Sequence, residues 1–124
     1  MALRGIRGAT TVNKNSKEDI WSAAQELVTK ILSTNELAVE NICAVIFSST
    51  KDLTAGFPST GVRRLPAHEF EFIPLFDTQE TAVDGDLPRC IRVLLLVDTN
   101  KKKKELLHVY LNGARKLRPD LVGG

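Results

Sequence analysis

Missing from this sequence are the residue patterns on which most covalent, metal-dependent and phosphate-transferring enzymes depend. It has no Gly-rich phosphate loop, no nucleophile elbow, no paired-cysteine zinc pattern and no HExxH, and its only histidines are His68 and His108. Those chemistries lack their parts, and no metal or cofactor is expected. An excess of one charge sign is also lacking. Seventeen Lys and Arg against 15 Asp and Glu leave a net charge of +2, far from the basic surplus that binding to a phosphate backbone needs. Lys101 to Lys104 form a cationic run, but no aromatic residues interleave it, so it reads as a solvated turn rather than an RNA-binding surface. No apolar run approaches the length of a membrane span. The opening MALRGIRGATTV is broken by Arg4 and Arg7 and carries no small-residue cleavage pattern, so no secretory signal is expected and the cytoplasm is the expected location. The two cysteines, Cys43 and Cys90, lie in the apolar stretches NICAVIF and RCIRVLLLV, which predicts reduced core thiols rather than a disulfide framework.

What is present suffices for one core. The chain has 124 residues, 43% of them hydrophobic, which predicts a single domain over 1–124. Leu3 to Val12 reads as a strand in which Gly5 and Gly8 let a ligand or a neighbouring strand come close to the backbone. Ser16 followed by Asp19 resembles a capping box, after which Ile20, Ala24, Leu27, Ile31 and Leu32 recur at helical spacing to about Ser33. Cys43 to Ser48, Phe70 to Leu75 and Ile91 to Val97 are rich in Val, Ile, Leu and Phe and are expected as strands. Pro58 suits a first helical position, and Pro66 would stop the short helix it begins. Glu105 to Leu117 is ambiguous, and its local pattern leans to helix. These elements make an α/β (α+β) fold, a mixed sheet covered by one long helix.

The candidate chemistry is cationic. Arg92 stands inside CIRVLLLV, where strand alternation puts it on one face with Leu94 and Leu96, and an unpaired guanidinium there would be costly to bury. Arg7 is presented by the first strand between two glycines. A guanidinium fork matches a carboxylate with two parallel hydrogen bonds, so a pair of such arginines suggests a carboxylate site. An acid from the same chain would satisfy them equally well. Glu80, in DTQET, reads locally as a solvated loop carboxylate. His68 and His108 read as surface or structural histidines.

RGIRGATTV, DLTAGFP with Arg63 beyond it, DGDLPRCIRVLLLV, and HVYL followed by LRPDL occur in this order from Arg4 to Leu121. Together they resemble the AroH-type, monofunctional chorismate mutases. The resemblance implies a trimer of pseudo-α/β-barrel shape with active sites between subunits, and it changes the expectation for Leu106 to Leu111 from helix to strand. It implies the rearrangement of chorismate to prephenate, a pericyclic step that needs no nucleophile or cofactor, in phenylalanine and tyrosine biosynthesis. By the same resemblance, Arg92 would face the ether oxygen and a carboxylate, and Arg7 would bind the side-chain carboxylate. Glu80 would accept a hydrogen bond from the ring hydroxyl, and Tyr110 would contact the side-chain carboxylate. Phe57, Arg63, Leu117 and Arg118 would line the pocket or its mouth. Two positions depart from the family pattern: Thr60 stands where many relatives place a lysine, and Asp77 where they carry a cysteine or small polar residue. Asp77 would add a negative charge to the pocket if it pointed inward. The stretch from Arg63 to Glu80 is slightly longer than in relatives, and the extra residues are expected near Pro66 and His68.

Overall fold

The computed structural model describes residues 1–117. The chain opens with strand β1 (Ala2–Thr11), followed by helix α1 (Lys17–Thr34), strand β2 (Ile42–Ser49) and the short helix α2 (Pro58–Arg63). Strands β3 (Leu75–Gln79), β4 (Cys90–Thr99) and β5 (Val109–Tyr110) complete it. The five strands form one mixed sheet in the order β3-β2-β4-β1-β5. Strand β4 is central and pairs antiparallel with both β1 and β2, while the edge strands β3 and β5 join in parallel. Parallel strands need long crossovers: α2 lies in the one from β2 to β3, and α1 in the one from β1 to β2, which flank β4 in the same direction.

Alternation divides the sheet into two faces. Ile91, Val93, Leu95 and Val97 of β4, Val45 and Phe47 of β2, Ile6 of β1 and Val109 of β5 are buried under the helices. Helix α1 meets them with Ile20, Ala24, Leu27, Val28, Ile31 and Leu32, the stripe its sequence spacing predicts. Ser16 caps its start, accepting the Asp19 backbone N–H through its side chain at 3.2 Å. Helix α2 lies against α1 so closely that a Cβ on Gly61 would stand 2.6 Å from the Trp21 Cα and carbonyl oxygen. Arg64 stacks its guanidinium 4.7 Å from the Trp21 ring centroid at the same junction. At Gly8 the space predicted for a close neighbour is filled by α1 and β5: a Cβ there would lie 2.9 Å from both Ile31 Cδ1 and the Val109 carbonyl oxygen.

Four expectations need correction. The run Phe70 to Leu75 is largely not strand. Glu71 and Ile73 make turn hydrogen bonds to His68 and Phe70, and the ladder begins only after Pro74, which has no N–H to give it. Phe70 is buried there and Phe72 is 92% exposed. Neither a helix over 105–117 nor a strand over 106–111 forms as such; the segment is two strand residues, Val109 and Tyr110, flanked by 3-10 turns. Cys43 is exposed, whereas Cys90 is buried as expected, and both are free thiols. The cause is a bulge: Ile42 pairs with Val97 but Ala44 with Leu96, so Cys43 is the extra residue. Among the described residues no helix is long and apolar enough to cross a membrane.

Asn35 ties the last segment to the helix layer. It is 2% exposed, donates to the carbonyls of Ile31 and Leu107 at 2.9 Å each, and accepts the Leu107 N–H at 2.7 Å. Asn35→Ala strands these buried groups and is expected to lower the unfolding free energy by roughly 1–3 kcal/mol in urea titration. An unchanged midpoint would show that Leu107 is satisfied by other means.

Candidate active site

The sheet face opposite the helices carries the arginines. In the antiparallel ladder Arg7 lies opposite Leu94 and Arg92 opposite Ala9, which puts both arginines on one face as diagonal neighbours. Tyr110 pairs with Ala9 on β5 and shares that face. It packs with Ala9, Cys90 and Ala114 in a small second core, against which Leu87 and Leu117 also lie. Burial pushes the Cys90 thiol up to about 11, so it serves as packing at the base of this group. Arg7 is exposed, and its backbone N–H is held by the His108 ring, donating to Nδ1 at 2.9 Å. An imidazole here stands in for the strand carbonyl that the short β5 cannot offer.

Strand β3 brings Glu80 to the same place. It pairs with β2 as far as Gln79 and Ser49, and the Glu80 N–H then donates to the Ser49 carbonyl at 2.8 Å. This fixes the residue immediately beyond the strand, and Glu80 Oε1 forms an ion pair with Arg92 Nε. The possibility that Arg92 is partnered by an acid of its own chain is thus realised. Asp86, from the loop between β3 and β4, lies 3.4 Å from Arg92 Nη2. The side chain of Glu80 is 11% exposed, and its Oε2 is buried without a hydrogen-bond partner among the described residues.

The three charges tune one another. Burial lifts the Glu80 carboxyl above its ordinary range, Asp86 adds to the lift, and Arg92 offsets it only in part. Asp86 is held below its ordinary range, first by the Leu87 backbone N–H and then by the neighbouring Glu80 carboxyl, with Arg92 adding to this. Desolvation works against the charge on Arg92, but the Glu80 hydrogen bond and charge outweigh it and the guanidinium is held more firmly protonated.

The remaining sequence-derived candidates divide. Phe57 precedes α2 and is 65% exposed, Arg63 ends that helix and is exposed, and Thr60 lies within it. Asp77 is on the helix side of the sheet, opposite Phe47, and does not point toward the arginines. Its carboxylate accepts the Ser59 N–H at 3.1 Å and also the Ser59 hydroxyl, capping the start of α2. Phe57 and Asp77 line a cleft of about 440 Å³, while Glu80 and Asp86 line another of about 310 Å³, the two meeting at Thr50 and Lys51. Arg118 lies outside the described residues. Asp86 went unnoticed in the sequence because DGDLP reads as a turn; its signal was a second carboxylate in the loop leading to Arg92.

A cation held at mid-sheet beside a carboxyl of raised proton affinity suits the binding of an anionic, hydroxyl-bearing ligand. The chorismate mutase type I family model matches residues 3–121. The chain is 44% identical to chorismate mutase AroH of Thermus thermophilus over 120 residues, 96% of each chain. It is 40% identical to chorismate mutase AroH of Bacillus subtilis (strain 168) over 121 residues, 98% of this chain and 94% of that one. A solved chorismate mutase from Clostridium thermocellum superposes with a TM-score of 0.86 at 40% identity, over 90% of this chain and 97% of that chain. With near full-length agreement in both sequence and fold, the chain belongs to the chorismate mutase type I family.

Proposed function

We propose that this protein is an isomerase that rearranges chorismate to prephenate, in the cytoplasm, as a step toward phenylalanine and tyrosine. The observation that carries the reading, beyond family membership, is the Arg92 guanidinium fixed on the central strand with Glu80 on its Nε edge. In the rearrangement an ether C–O bond breaks as a C–C bond forms, and negative charge grows on the ether oxygen. With Nε taken by Glu80, the guanidinium plane is set and its Nη donors, of which Nη2 meets Asp86 only at 3.4 Å, serve that oxygen and an adjacent carboxylate. Arg7 clamps the side-chain carboxylate together with Tyr110, holding the enolpyruvyl group over the ring. The unpartnered Glu80 Oε2 is available to accept the ring hydroxyl. Leu117, Phe57 and Arg63 line the pocket or its mouth, Arg63 adding positive potential for a dianion. No covalent intermediate or cofactor takes part.

The whole chain, 1–124, acts as one domain, and three copies assemble with active sites between them. The face that bears the arginines also bears Leu94, 36% exposed, together with Leu3 and Phe76 at 59% and 63%. An antiparallel face turned to water ordinarily carries polar residues, so an apolar one calls for cover. The division of the candidates supports the same assembly. Arg7, Arg92, Glu80 and Tyr110 gather on the open face, while Phe57, Arg63 and Asp77 belong to the α2 side, from which they serve a neighbour's pocket. Asp77 then contributes through the Ser59 cap, and Thr60 leaves the rim with one cation fewer than in many relatives.

Three measurements check this reading. Purified protein is expected to convert chorismate to prephenate without added metal or nucleotide, and Arg92→Ala to lower kcat on the order of a hundredfold or more while retaining its far-ultraviolet circular dichroism. Full activity in the variant would remove the mechanism; binding without turnover in the wild type would indicate a sensor instead. On this reading Glu80 must be ionised. Because its proton affinity is raised, kcat/KM should fall on acidification at a higher pH than an ordinary glutamate would give, and Glu80→Gln should abolish that limb. An identical limb in the variant would assign it to another group. In sedimentation equilibrium the protein should show about three times the 13.7 kDa chain mass, and Leu94→Glu should shift it toward the monomer. A wild-type monomer at micromolar concentration would contradict the shared site.

A further inference from the structure

Arg92 meets two carboxylates, and only Glu80 has a part in the reaction above. Asp86 also reaches the guanidinium, with both carboxylate oxygens 3.4 Å from Nη2. When both acids are ionised this cluster holds one more negative than positive charge, an unfavourable reception for a dianion. The Nη2 edge is also one of those a substrate oxygen would use. The turn that carries Asp86 is built mainly from its own backbone: Asp86 N–H donates to the Val83 carbonyl at 3.1 Å, and Gly85 supplies the left-handed residue at φ 81°. The side chain adds one local bond, Oδ1 accepting the Leu87 N–H at 2.9 Å, which the amide oxygen of asparagine can also accept. The negative charge is therefore not needed to form the turn.

We infer that Asp86 is an affinity-setting residue, a built-in counter-ion that occupies the Nη2 edge of Arg92 in the empty site and competes there with the substrate's carboxylate. The inference rests on the reading of Arg92 as the cation that receives chorismate. Asp86 acts through Arg92 and touches no reacting atom. At 24% side-chain exposure the competing charge is partly screened, so its effect should be moderate and sensitive to salt.

The test is steady-state kinetics on the full-length protein with Asp86→Asn, and with Asp86→Ser as a second variant that keeps a short side-chain acceptor. Asp86→Asn is expected to lower KM for chorismate by roughly three- to tenfold, to move kcat by less than KM, and to lose most of this advantage in 0.5 M NaCl. The inhibition constant of prephenate should fall in parallel. An unchanged or raised KM in a folded variant would overturn the inference, as would a drop in kcat with KM fixed. If both variants failed to fold, Asp86 would be a structural residue and the inference would be wrong. A wild-type protein with no turnover would instead remove the functional reading, an outcome seen before any variant is made.

Discussion

Arg92 sits third in a strand hydrogen-bonded along both edges, so its backbone cannot shift without breaking ladders to β1 and β2 at once. That immobility is what the rest of the structure turns into chemistry. A guanidinium among leucines must have an anion near it. The nearest is supplied by β3, whose parallel pairing with β2 ends one residue before Glu80 and delivers that carboxylate to the guanidinium. Preorganisation here is a property of strand register: the cation and its acid are placed by backbone ladders, and the rotamers follow. Arg7 depends on the same arrangement, since it lies diagonally across the β1–β4 ladder and its backbone is held on the other side by His108.

The two faces of the sheet divide the work. One is closed by α1 and α2 into a dry core, with Gly61 admitting the Trp21 backbone and Asn35 tying the last segment to the helix end. The other carries neither α1 nor α2 and holds the arginines, Tyr110 and a row of apolar residues. A substituent therefore has very different consequences according to strand parity. Asp77 shows this most clearly. One step along β3, Thr78 faces the arginine side, while Asp77 faces the helices and is hydrogen-bonded by Ser59 at the start of α2. An acid at this position need not oppose an anionic ligand at all.

Much of this was legible in the sequence because it follows from period. The α1 stripe, the β4 alternation and the Ser16 cap are local patterns that the fold retains, and Arg92's need for an anion followed from its neighbours. Elements set by non-local contacts were hidden. Phe70 to Ile73 has a strand's composition but lies on the wrong side of Pro74. Val109 and Tyr110 become strand only because β1 offers them an edge, and Cys43 is exposed only because the β2–β4 register slips by a residue. The arginine face itself could be inferred from alternation, but the side on which Asp77 would fall required the β3 register, which no composition encodes. Asp86 was hidden for another reason: a turn rich in Asp and Gly explains itself, so its charge drew no notice.

The pairing of Arg92 with two acids also bears on how such a site persists without ligand. An uncompensated guanidinium on a half-covered face would destabilise the fold, whereas a permanently neutralised one would bind nothing. The two acids resolve this unequally. Glu80 is fixed by its backbone bond to Ser49 and is nearly buried, and burial raises its proton affinity, so it holds the guanidinium plane at the cost of its own desolvation. Asp86 is on a loop and more exposed, its carboxyl held below its ordinary range by the Leu87 N–H, and it meets Arg92 only at 3.4 Å. The tight partner is thus the desolvated one, and the better-solvated acid is the one loosely held. That combination stabilises the cation in the empty protein while leaving it open to a stronger carboxylate, which is the compromise between stability and function expected where a charge must be both buried and usable.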